Sequence, residues 1–436
     1  MRSLIALPVL ALSLFLAAHV KVQAQEPSPA IFAPASLTPP DADPAVATQA
    51  WLDTVPADKR AKSDAYFEGG YWLLLWDYLM TVAILLFLLR SGLSARMRDF
   101  AERTTRFKAM QVALYTIPFV LLTALLGFPL VVYEQFYREH AYGLATQNFS
   151  QWFAEQLVTL VVQLVASIIA LIVLYAVFRK AQRTWWIWGA AVATFLLALG
   201  QVLAPVYVEP LFNKYTPLTD PSISEPILAL ARANEIPVTQ VFEVDASRQS
   251  NRVSANVSGF LGTTRIALND NLLKQCTLAE IREVMGHEMG HYVLNHTTKL
   301  INGFGILSLI GFAAASFGFN FMLRRWGAGW AVRGIGDPAG LPIILLVIAT
   351  VLFLLTPLIN TAIRTVEREA DAFGLNTSRE PDGMAKVALK LGTYRKLDPT
   401  PLEEFIFFDH PSGRSRIRMA MDWKAARLPA GGTKAP

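Results

Sequence analysis

Six apolar stretches, near 70–89, 112–133, 155–178, 185–206, 303–323 and 341–360, set the first constraint on this chain. A helix of about 20 apolar residues crosses the hydrocarbon core of a bilayer, so each stretch is long enough to span one. Inside that core every backbone N–H and C=O must be paired, which makes helices the solution for runs of this length. The expected fold class is mainly α: a polytopic membrane helix bundle of six spans, preceded by an N-terminal signal or anchor. Composition agrees, since 53% hydrophobic and 17% charged residues are too apolar for an ordinary soluble enzyme and too charged for spans alone. Asp77 lies in the first stretch, Pro118 and Pro129 lie in the second, and Pro205 closes the fourth. Such groups usually face a cavity or a neighbouring helix rather than lipid. For Asp77 an interfacial position near a helix end is the competing reading.

The net charge of +5 does not point to nucleic acid, because of where it sits. Arg90, Arg96, Arg98, Arg103, Arg106 and Lys108 follow the first apolar run directly. Arg179, Lys180 and Arg183 separate the third run from the fourth, and Arg324, Arg325 and Arg333 follow the fifth. Charge at membrane edges orients spans. It places the loops at 90–108, 179–184 and 324–333 in the cytoplasm. By alternation 26–66, 207–302 and 361–436 lie outside. The N-terminus, "MRSLIALPVLALSLFLAAHVKVQAQ", has an apolar core and small residues at positions 22 and 24, as a signal peptide does. The single cysteine, Cys276, excludes an internal disulfide framework and a multi-cysteine metal site.

The expected organisation is a signal peptide or anchor at 1–24, a Pro- and Ala-rich flexible arm at 25–66 and a four-span membrane region at 67–206. A catalytic segment at 207–302, a two-span hairpin at 303–360 and a second catalytic segment at 361–436 follow. "VTQVFEVD" and "TRIALN" alternate like strands, with the Gly- and Ser-rich "NVSGFLGTT" as a turn between them. Thr277 and Glu280 form the S/T-x-x-E pattern that starts a helix.

That helix carries His287-Glu288-Met289-Gly290-His291, an HExxH motif. Residues four apart share a helix face, so the two imidazoles can grip one zinc ion. Glu288 points beside the metal. There it can take a proton from a zinc-activated water and pass it to the leaving amine of a cleaved peptide bond. A catalytic zinc site keeps three protein ligands and one open position. His296 is a poor third ligand, because on a continuing helix it is rotated about 140° from His291. It also lacks the spacing and the Gly of the HExxHxxGxxH pattern, so it is expected to be a structural residue or a partner of a ligand rather than a ligand. The residues of 361–377 supply other candidates. Glu367 and Asp371 share one helix face and Glu369 lies on another. One carboxylate can ligate while a second orients a ligand histidine.

Together these residues resemble the type I CAAX prenyl protease family, integral-membrane zinc endopeptidases of the gluzincin kind, over about residues 70–425. "GFPLVVYEQFYREHAYG", "LAPVYVEPLFNKYTPL" and "SGFLGTTRIALNDNLL" carry the resemblance, along with HExxH, an ExxxD at Glu367–Asp371 and a late His-Pro at His410-Pro411. It implies a gluzincin-like zinc protease domain with one zinc per chain, held by His287, His291 and Glu367, with Asp371 behind. It also implies that His410 and Arg416 lie near the scissile carbonyl and help hold the oxyanion. A large water-filled chamber enclosed by helices is the family's architecture. The "TTRIALN" strand is expected to offer its edge to an extended substrate. The family's Asn-Ala pair is replaced by Ser254-Ala255-Asn256, which leaves the role of Asn256 open.

The reading is a bacterial, zinc-dependent membrane metalloendopeptidase. Its catalytic side faces the periplasm from the inner membrane, and it acts on membrane or exported peptides. A non-catalytic membrane scaffold retaining the fold is the alternative. The expected partners are a peptide or protein substrate and membrane lipid, without nucleic acid.

Overall fold

The structure, a computed structural model, describes residues 42–258 and 264–427. The expected signal or anchor at 1–24, the beginning of the arm, the glycines of the 259–263 turn and the last nine residues lie outside the described residues.

The membrane part is a bundle of long helices. After α1 (Pro44–Asp53), α2 (Ala57–Arg90) is the first span and α3 (Leu93–Thr104) folds back along its end. The second span is α4 (Lys108–Val132), which runs on through one wide turn at Tyr133–Tyr137 to Ala141. Then come α5 (Phe149–Lys180) and α6 (Trp185–Leu203), the latter also ending in a wide turn at Ala204–Val208. Pro205 sits within the second wide turn, whereas Pro118 and Pro129 lie inside α4, before the first. The fifth long helix is described below.

Among the described residues five helices are long and apolar enough to cross a membrane, and a helix pair bent by 59° makes a sixth crossing if it is counted as one span. The chain is a multi-pass membrane protein of mainly α fold. Large apolar side chains such as Trp72, Leu125, Val161, Phe195 and Phe317 point outward, each more than half exposed, as spans facing lipid require. The inward faces pack a core that includes Leu88, Tyr115, Phe119, Tyr175 and Phe178. Asp77 is buried within this bundle rather than interfacial.

The aqueous part begins with β1 (Tyr215–Pro217), α7 (Pro221–Ala233), β2 (Val241–Val244), β3 (Ala255–Ser258) and β4 (Arg265–Asn269). The sheet order is β1-β2-β4-β3, with β2 and β4 parallel and the other pairs antiparallel. This corrects one expectation. The "TRIALN" strand is β4, and it is paired on both sides, so it has no edge to offer. The strands at the two ends of the sheet are β1 and β3.

Next come α8 (Asp270–Gln275), α9 (Leu278–Val293) and α10 (His296–Trp326), the fifth long membrane helix. The bent pair is α11 (Leu341–Leu354) and α12 (Thr356–Ser378), followed by α13 (Pro381–Leu391), α14 (Pro401–Phe407) and α15 (Gly413–Arg427). The sheet and α9 share one core, including Ile227, Ile266, Leu268, Met285 and Met289.

The flexible arm expected at 25–66 is also corrected from residue 44 onward. Asp43 caps α1, accepting from the backbone N–H of Ala45 and Val46 at 2.7 and 3.3 Å. Trp51 and Leu52 are buried against Leu389, Ile417 and Met421 of α13 and α15. Burying one large apolar side chain contributes about 1.5–3 kcal/mol, and the Pro- and Ala-rich composition hid this docking. The remainder, from Ala57, is the first two turns and more of α2.

The three basic loops meet at one end of the bundle. Arg98 pairs with Asp337 at 2.7 Å, both side chains buried, Arg333 reaches Glu102 at 2.9 Å, and the Ser94 hydroxyl donates to the Ala339 carbonyl at 2.8 Å. The catalytic segments gather at the opposite end. There Arg252 pairs with Glu139 at 2.6 Å, and the Tyr66 hydroxyl donates to the same carboxylate at 2.6 Å, tying the strand region to two spans.

Candidate active site

The site is built by two helices that pass unusually close. Gly286 and Gly290 of α9 face Ala370, Phe373 and Gly374 of α12. A Cβ added at Gly286 would lie 3.1 Å from the Gly374 Cα, and one at Gly374 would lie 2.9 Å from the His287 backbone nitrogen. Small residues four apart let two backbones approach in this way. The capping box at Thr277 and Glu280 starts α9, the Thr277 N–H donating to the Glu280 carboxylate at 2.6 Å. Arg364 holds α12 to the chain before His410 by donating to the Glu404 carbonyl at 2.7 Å.

His287, His291 and Glu367 come together, with one ligand-type atom from each within 4.8 Å of the others. The two imidazole Nε2 atoms are 3.1 Å apart. Glu367 lies 3.3 Å from His287 Nε2 and 3.6 Å from His291 Nε2. Two ligand atoms about 2.0–2.1 Å from one tetrahedral ion are about 3.3–3.4 Å apart. Glu367 meets the two rings through different oxygens, and the three side chains lie close enough to hold one metal ion.

Each histidine has a partner on its far nitrogen. His287 Nδ1 lies 2.8 Å from Asp371 Oδ1, and Arg416 Nε donates to Asp371 Oδ2 at 2.9 Å. His291 Nδ1 lies 3.0 Å from His296 Nδ1. Glu369, the other carboxylate considered as a ligand, is instead at the surface, 3.1 Å from His296 Nε2 and 2.6 Å from Lys299 Nζ.

His296 stands here because the helix that carries His287 and His291 does not continue through it. The helix ends at Val293, and Asn295 takes a left-handed conformation with φ 54°, which Asn tolerates better than most residues. The chain turns back and sets His296, 1% exposed, beside His291 rather than away from it.

The electrostatics separate the two rings of the HExxH pair. Burial works against a charge on His287, but its hydrogen bonds to Asp371 and Glu367 outweigh that and raise it to about 10. Burial, then the charge of His287, lowers His291 to about 3. Burial pushes the Glu288 carboxyl up to about 7, a value matched to proton transfer near neutral pH.

His410 Nε2 lies 3.2 Å from Glu367, and its Nδ1 lies 2.8 Å from the Asp409 carboxylate. Arg416 joins the same group: its Nε donates to Asp371 at 2.9 Å and its Nη2 lies 3.5 Å from Glu367, so it faces two carboxylates of the cluster. Asn256 lies on the end strand β3, and its side-chain oxygen is buried without a hydrogen bond among the described residues.

A membrane helix bundle in which two histidines of an HExxH helix meet a glutamate from α12 defines the class, an integral-membrane metallopeptidase. Residues 217–424 match the model of peptidase family M48, and residues 44–214 match that of the CAAX prenyl protease N-terminal region with five membrane helices. The chain belongs to the M48 peptidases of the CAAX prenyl protease type. It is 28% identical to the metalloprotease YhfN of Bacillus subtilis, over 76% of this chain and 78% of that one. It is 27% identical to CAAX prenyl protease 1 of Saccharomyces cerevisiae, over 69% of this chain and 70% of that one. Its fold is similar to the crystal structure of S. mikatae Ste24p, with a TM-score of 0.72 at 19% identity, over 97% of this chain and 100% of that one.

Proposed function

We propose that this metallopeptidase is a zinc endopeptidase in which His287, His291 and Glu367 hold the ion. The observation that carries the reading is the convergence of these three side chains within 4.8 Å, at separations suited to a tetrahedral ion. Zinc bound there supplies a Lewis acid that polarises a peptide carbonyl and acidifies a water near neutral pH. Glu288 is the general base and acid. It takes the proton of the attacking water and delivers it to the leaving nitrogen. Asp371 orients His287, and Arg416 fixes Asp371 and Glu367 against their mutual repulsion. His410, with one nitrogen directed toward Glu367, is the side chain left to donate to the developing oxyanion.

An extended peptide adds to the sheet along the outer side of β3, where main-chain hydrogen bonds read backbone more than side chain. Asn256 is placed to donate or accept there. The end of the molecule opposite the basic loops carries the site, and positive charge marks the cytoplasmic side. The site therefore faces the periplasm of a bacterial inner membrane, and exported or membrane peptides are its substrates.

Cleavage profiling of membrane and periplasmic proteins with wild type and Glu288→Gln tests this. Fragments should arise with wild type alone. Equal fragments with Glu288→Gln would exclude Glu288 as the base.

A further inference from the structure

The two ligand histidines are backed by unlike devices. His287 meets a carboxylate, Asp371, braced by a cation, Arg416. His291 meets another histidine, and only beyond it a carboxylate braced by a cation. The order is His291, His296, Glu369, Lys299, with separations of 3.0, 3.1 and 2.6 Å.

Resting on the zinc reading above, we infer that His296 is a positioning residue for the ligand His291, accepting its Nδ1–H and passing the same polarity to Glu369. The direction follows from the inventory of protons. His291 presents Nε2 to the cluster, so a ligating His291 keeps that nitrogen bare and carries its one proton on Nδ1. His296 Nδ1, 3.0 Å away, must then be bare, since two N–H groups would otherwise point at each other. The His296 proton is left on Nε2, where Glu369 accepts it at 3.1 Å. Lys299 donates to the same Glu369 oxygen at 2.6 Å. With His291 ligating through a bare Nε2, this arrangement of protons satisfies the contacts along the relay from His291 to Lys299. The His296 side chain is 1% exposed, so water does not offer an equal acceptor in its place. The turn at Asn295 brings the ring there.

Partners of this kind fix a ligand's tautomer and orientation, and their loss lowers metal affinity by about 10- to 100-fold. The test uses the full chain in detergent, with zinc affinity read by competition against a chromophoric chelator and apo-protein unfolding temperature read in parallel. His296→Ala should lose affinity by about 10- to 100-fold. His296→Asn, whose amide can still accept, should recover most of it. Glu369→Ala, at the surface end of the chain, should show a smaller loss. Affinity within twofold of wild type in His296→Ala, or equal losses in the Ala and Asn variants, would overturn the inference while the wild type still binds zinc. A wild type that takes up no zinc would overturn the zinc reading and this inference with it. If His296→Ala does not fold, nitrogen-15 NMR of the zinc-loaded wild type decides. His296 should be bare at Nδ1 and protonated at Nε2, and a proton on Nδ1 would overturn the assignment.

Discussion

Asp371 holds His287 from one oxygen at 2.8 Å and receives Arg416 on the other at 2.9 Å. A single buried carboxylate thus orients a ligand and anchors the cation that also faces Glu367. Asp371→Ala removes both roles. Zinc affinity should fall by about 10- to 100-fold. Leaving Arg416 without its nearest partner in the interior should cost about 3–5 kcal/mol of stability. Asp371→Asn should show most of the affinity loss with a smaller drop in unfolding temperature. Chelator competition and thermal unfolding read the two effects separately.

The glycine contact makes a second prediction. A side chain at Gly374 meets the His287 backbone at 2.9 Å, and backbone cannot move aside as a flexible side chain can. Gly374→Val should destabilise the protein by about 1–3 kcal/mol through overpacking. It should also weaken zinc binding, because α9 and α12 would be forced apart. An unchanged zinc affinity in a folded Gly374→Val protein would show that the ligand geometry does not depend on this contact.

The pH dependence follows from Glu288. Burial raises its carboxyl to about 7, and it acts as a base only when ionised. As pH falls through that value the carboxylate is protonated, so kcat/KM should decline on the acid side with a midpoint of about 7. Glu288→Gln should lower kcat by at least about 100-fold above neutral pH while zinc stays bound, and the gap should narrow as pH falls and wild-type Glu288 is itself protonated. Peptide hydrolysis across a pH series, with metal analysis of the same samples, checks both statements.

Much of this was legible in the residues. The HExxH motif and its capping box specify a helix with two ligands on one face, and the apolar runs specify the bundle. Other parts were not legible for identifiable physical reasons. A helical wheel cannot foresee a break, so Asn295 and the return of His296 escaped it. The alternation in "TRIALN" marks a strand but not its neighbours, so an interior strand, β4, was taken for an edge. The residues around Trp51 have the composition of a linker, yet one buried indole docks them. The glycines at 286, 290 and 374 were a signal that could have been used, since their spacing announces a close helix crossing. Glu367 needed the resemblance to be separated from Glu369, because both lie on one charged helix.

Orientation gives a fourth prediction. The basic loops gather at the end remote from the site. A reporter active only after export, fused after Pro436, should be active, and one active only in the cytoplasm should be silent. The reverse pattern would place the site in the cytoplasm and remove exported peptides as substrates.

Glu367 completes the proposed zinc site, delivered to the HExxH helix by α12, the second helix of the bent pair that follows α10. Metal analysis of the purified wild type beside Glu367→Ala tests it most directly. The account predicts about one zinc per wild-type chain, and a folded Glu367→Ala protein that loses its zinc to a chelator leaving the wild type loaded. A wild type without zinc, or a Glu367→Ala protein that holds zinc as tightly as wild type, would contradict it.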